Sequence, residues 1–167
     1  MTPSEFQLET PSDDVIVHRR VFAAPPASVF DALTKPHLLR RWYGPPGWTC
    51  TACTMDLRVG GSWRIVTRKP NGQEIIQSGE FLEVAAPLRF VKTERWADWD
   101  VGEIVVTTEL VDQHGVTLLI VTTRFPSKDV RDRLLASGAA QHARDHYAKL
   151  ATLLSGDELD RLEKKVK

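Results

Sequence analysis

Between Ser62 and Phe125 the chain repeats one pattern: β-rich runs of strand length, each closed by a turn signal. The runs are Ser62 to Arg68, Glu74 to Val84, Leu88 to Trp96, Ile104 to Val111 and Val116 to Phe125. Pro70-Asn71-Gly72, Ala85-Ala86-Pro87, the segment A-D-W-D-V before Gly102, and Asp112 to Gly115 separate them. Turns this short imply antiparallel pairing of successive strands. At Pro126-Ser127 the pattern changes. From Lys128 to Leu154, Leu135, Ala139, Ala143, His146 or Tyr147, Leu150 and Leu153 or Leu154 recur at helical spacing. One long helix of about seven turns is expected there, N-capped by Ser127, with Gly138 as a tolerated interior glycine.

The first half supplies what the meander lacks. Val15 to Phe22 alternates as a strand and is stopped by Ala24-Pro25-Pro26. Pro26 suits the first turn of a helix whose apolar face is Val29, Phe30 and Leu33, ending at Thr34, and Pro36 starts a second with Leu38, Leu39 and Trp42 as its stripe. Thr49 to Arg58 reads as a strand ended by Gly60-Gly61. The expected architecture is α+β: a curved antiparallel sheet of about seven strands wrapped on a long C-terminal helix, with two short helices after the first strand. A cavity between helix and sheet follows from that shape. Met1 to Asp14, polar and holding Pro3 and Pro11, is expected to be a flexible leader. Residues 15–155 form the single domain, and 156–167 a charged tail.

Lys+Arg and Asp+Glu are 22 each, so no net field directs the chain to nucleic acid or an anionic membrane. No apolar run reaches the roughly 20 residues of a membrane span, and the N-terminus has no basic-then-apolar signal. With two cysteines in 167 residues, a disulfide scaffold is not expected. The expectation is a cytoplasmic domain, monomer or homodimer, whose function lies in a local site.

The runs V-F-A-A-P-P-A-S-V-F-D-A-L-T-K-P-H-L-L-R-R-W-Y-G-P (Val21 to Pro45), D-L-R-V-G-G-S-W-R (Asp56 to Arg64), P-N-G-Q-E (Pro70 to Glu74), S-G-E-F-L-E-V (Ser78 to Val84) and R-F-P-S (Arg124 to Ser127) are similar to the SRPBCC superfamily, whose fold is the helix-grip of START and birch-pollen-allergen proteins. They resemble its branch homologous to the activator of heat-shock protein 90 ATPase. The resemblance implies a deep apolar cavity and a family whose members bind lipids, polyketides or hormones, sequester toxins, or catalyse cyclisation and hydrolysis. It does not choose among these. Where the branch often carries Gly-Trp in the terminal helix, this chain has His142-Ala143. It also has Lys92 where relatives usually show an apolar or aromatic residue.

Several groups of residues bear chemistry. Trp42, Trp48, Trp63, Phe81, Phe90 and Trp96 are candidate walls of the cavity, or ordinary core. Ala139 and Ala143 make room on the helix. Lys92 and Glu94 share one strand face and form a polar spot if that face is inward, or lie wet at the cavity mouth. His142 and His146, one helical turn apart, have the spacing of two metal ligands with Glu94 as a third, but the expectation is histidines that pack or hydrogen-bond a ligand, with no metal and no cofactor. Cys50-Thr51-Ala52-Cys53 spells a redox or zinc motif, yet residues three apart on a regular strand face opposite ways, so the sulfurs cannot converge without a bulge. No nucleophilic triad is present, and Gly60-Gly61 lacks the context of a phosphate loop. The functional expectation is binding of a small apolar or amphipathic molecule. The alternatives are a cavity enzyme using histidine and Glu94 as acid and base, and a chaperone-interacting protein.

Overall fold

A computed structural model describes residues 6–155. In chain order the elements are β1 (Phe6–Ser12), β2 (Val15–Phe22), α1 (Pro26–Thr34), α2 (Pro36–Trp42), β3 (Thr49–Met55), β4 (Ser62–Arg68), β5 (Glu74–Ala85), β6 (Arg89–Trp96), β7 (Trp99–Gln113), β8 (Val116–Arg124), α3 (Lys128–Ala136) and α4 (Ala139–Leu153). The eight strands form one antiparallel sheet in the order β1-β2-β8-β7-β6-β5-β4-β3. The meander from β3 to β8 therefore pairs in sequence, as its short turns require. The α+β helix-grip architecture expected from the sequence is the one observed.

Three expectations are corrected. Part of the supposed leader is an eighth strand: β1 runs antiparallel to β2, with Phe6 opposite Arg20 and Glu9 opposite Val17. Pro11 had argued against a strand, but β1 is an edge, and the register breaks between Glu9 and Ser12, where a missing N–H is tolerated. Residues 1–5 and the charged tail 156–167 lie outside the described residues. The long helix is two helices, because Gly138 has φ 91 and so cannot continue the right-handed turn. Ser127 does cap the first of them, its Oγ accepting from Val130 N at 3.2 Å. Within the A-D-W-D-V segment only Ala97-Asp98 form the turn, and Trp99 already belongs to β7, opposite Trp96.

The short helices are set by prolines. Pro26 and Pro36 each occupy the first turn, where the missing N–H costs nothing. A residue before proline is pushed out of the helical region, and Lys35 (φ −90, ψ 120) is the extended link between them. Trp42 Nε1 then donates to Ala32 O at 2.8 Å, tying α2 across α1. Phe22, Val29, Leu38, Ile65, Phe81, Ile104, Leu119, Leu150 and Leu153 are essentially fully buried between sheet and helices. The backbone of α4 packs on α2 and α3 rather than on the sheet, which leaves space beneath it.

Candidate functional site

The inner sheet face is fixed by cross-strand register. Ile16, Thr123, Val106, Lys92 and Phe81 make one row across β2, β8, β7, β6 and β5, and His18, Val121, Thr108 and Phe90 make the next. Residues paired across antiparallel strands share a face, so Lys92 stands on the concave side beside two apolar neighbours. Above this face α4 presents Ala139, His142, Ala143, His146 and Tyr147, and α2 presents Leu39 and Trp42. The space enclosed is a cavity of about 620 Å³, predominantly apolar in its lining.

Of the residues singled out from the sequence, Trp42, Trp48, Phe90, Lys92, Glu94, Trp96, Ala139, His142, Ala143 and His146 line this cavity. Trp63 and Phe81 do not: both are on the same inner face but 1% exposed, packed into the core beside it. Trp63 nonetheless shapes the floor. Its Nε1 donates to Thr93 O at 3.0 Å, and its ring lies 3.9 Å from Lys92 Nζ. That reach depends on Gly79, where a Cβ would come 2.8 Å from Trp63 Nε1 and 1.9 Å from Thr93 O.

The polar groups converge from several elements. Tyr43, just past α2, donates through its hydroxyl to Gln77 Oε1 at 2.9 Å. Trp96 Nε1 donates to Glu94 Oε2 at 2.9 Å. Burial, and then the Glu94 carboxylate, raise the pKa of both Tyr43 and Tyr147, so both phenols remain donors. Burial lowers Lys92 while Glu94 opposes that shift. His146 is packed between Trp42, Tyr43 and Tyr147, with ring centroids 5.2, 5.5 and 4.4 Å away. Burial, aided by His18, Lys149 and His142, brings its pKa down to about 3. His142 is exposed at the rim, tilted against Trp48 at 5.5 Å. Both histidines thus reach the cavity, one inside and one at its edge.

His18, Tyr43, Gln77 and Tyr147 also line the site and were not singled out from the sequence. The alternation Ile16, His18, Arg20, Phe22 carried the signal for His18, but nothing in it says which face is concave. Among the described residues no cluster of three or more His, Cys, Asp or Glu side chains could hold a metal ion.

The cysteines require a correction. A bulge at Thr51 places Cys50 opposite Thr67 and Cys53 opposite Ile65, and both partners line the cavity. The two sulfurs therefore share the inner face. Burial raises Cys50 and pushes Cys53 up to about 11, so both are thiols at neutral pH, unlike the thiolates that redox attack or metal ligation requires.

An eight-stranded sheet gripping C-terminal helices around an apolar cavity defines a helix-grip protein of the SRPBCC type. Residues 23–155 match the family model described as activator of Hsp90 ATPase homolog 1-like protein, and the chain belongs to that family. Among solved structures, a Rhodobacter sphaeroides protein is 31% identical with a TM-score of 0.85, covering 90% of this chain and 99% of that one. A Nitrosomonas europaea protein is 26% identical with a TM-score of 0.80 over 90% and 99% of the two chains. An AHSA1 protein from Silicibacter pomeroyi is 25% identical with a TM-score of 0.70 over 84% and 97%. No curated protein matches the chain. No described helix is long and apolar enough to cross a membrane.

Proposed function

We infer that the protein binds a small, mostly apolar molecule between its C-terminal helices and the sheet, and that it does so in the cytoplasm, where Cys50 and Cys53 stay reduced. The observation that carries this reading is the cavity itself: about 620 Å³, apolar in most of its lining, with a few polar groups directed into it. Cavities of roughly 300–1,000 Å³ built this way hold drug-sized molecules. An acid–base enzyme is less well supported. Catalytic proton transfer needs a group poised near the working pH, and burial holds His146 near 3, as a neutral imidazole that can hydrogen-bond but does not carry a proton at neutral pH.

The test is uptake of N-phenylnaphthylamine, a neutral apolar dye that fluoresces when taken out of water. Wild-type protein should bind it with one-site saturation. Ala143→Trp, which puts an indole where a buried methyl faces the cavity, should lose at least about tenfold in affinity. Equal uptake by the variant, with its fold intact by circular dichroism, would refute the placement of the ligand.

A further inference from the structure

Lys92 sits in the cavity in a way that packing alone does not explain. Its ammonium lies over the Trp63 ring at 3.9 Å, on a platform that the indole's hydrogen bond to Thr93 O and the absent Cβ of Gly79 hold in place. Its cross-strand neighbours, Phe81 and Val106, are apolar. Glu94, two residues along the same face, takes its hydrogen bond from Trp96 Nε1. Among the described residues no carboxylate reaches ion-pairing distance of Lys92, and no acceptor takes its N–H groups.

An aromatic face attracts a cation but does not accept its hydrogen bonds as an oxygen does. The half-buried ammonium is therefore left with unmet donors in a mostly apolar space, only partly offset by the Glu94 charge, an arrangement that an anionic oxygen would relieve. Resting on the cavity reading above, we propose that the bound molecule is a small apolar acid whose carboxylate or equivalent anionic oxygens are received by Lys92. Its apolar body lies along Phe90, Val106 and Ile65. The Glu94 carboxylate, farther along the same face, excludes a second anionic group beside it.

Two dyes with the same aromatic body separate this proposal from the cavity reading: anilinonaphthalene sulfonate, which carries an anionic group, and neutral N-phenylnaphthylamine. Lys92→Met keeps the length of the side chain and removes the charge. It should weaken the sulfonate by at least about tenfold and change the neutral dye by less than about threefold. Retained uptake of the neutral dye also shows that the variant is folded, and Lys92→Gln replaces it if Lys92→Met does not fold. Equal loss of both dyes, or loss of neither, overturns the role of Lys92 while leaving the cavity reading standing. Failure of the wild-type protein to take up either dye overturns both.

Discussion

Acidification from pH 7.5 to pH 5 should remove about 4 kcal/mol of stability, through two histidines. His146 is enclosed by Trp42, Tyr43 and Tyr147, and His18 lies against Phe6 and Tyr147 at 5.3 and 6.4 Å. Burial brings their folded-state pKa values down to about 3 and about 4 from 6.5. Both values are depressed, so it is the unfolded chain that takes up protons first. Their contribution is complete above pH 6.5 and is lost as the pH falls from there towards the folded values. At pH 5 the unfolded imidazoles are about 1.5 units below their pKa while the folded ones are still neutral, which costs about 2 kcal/mol each. Against a typical total of about 5–15 kcal/mol this is a large fraction. Asp132, held below the usual carboxylate range by Lys128 and Arg131, does not add to the effect in this window. Urea unfolding at pH 7.5, 6 and 5 measures the effect, and His146→Phe should roughly halve the pH slope. A midpoint that stays constant over this range, or an unchanged slope in the variant, would show that neither ring is desolvated as the geometry requires.

Two glycines give further tests. Gly79→Ala would drive a Cβ to within 1.9 Å of Thr93 O and displace the Trp63 indole. Overpacking plus a stranded buried N–H predicts a loss of about 4 kcal/mol, a fall in Tm of roughly 8–16 °C. A fall under about 3 °C by calorimetry would contradict the close approach. Gly138→Ala distinguishes one helix from two: in a continuous helix it would stabilise by about 1 kcal/mol, whereas at φ 91 it should destabilise by about 1–2 kcal/mol in urea melts.

The helical and strand periods, the prolines at the starts of α1 and α2, and the Ser127 cap were all legible in the sequence, because each is a local property of a few neighbouring residues. The break at Gly138 was visible only as an energetic cost, since a glycine inside a helical pattern does not reveal the sign of its φ. β1 was missed because its pairing partner, not its own composition, makes it a strand. The bulge at Thr51 reversed the argument about Cys50 and Cys53, and a bulge is set by the register of two strands together. For the site, the aromatics and small helical residues were picked out by type, while Tyr43, Gln77 and Tyr147 were not singled out, because nothing local to them says that they face the cavity.

The order of elements, the antiparallel meander, the terminal helical segment and the family to which they belong could be read along the chain, because hydrophobic period and turn chemistry act over short distances. Tertiary structure alone decided what the cavity contains. Whether Lys92 faces a carboxylate or an aromatic ring, whether His146 is solvated or dry, and which tryptophan lines the space or supports it from below are properties of residues brought together from distant parts of the chain. Lys92 and Trp63 meet only because Gly79, on the strand between theirs, has no side chain to keep them apart.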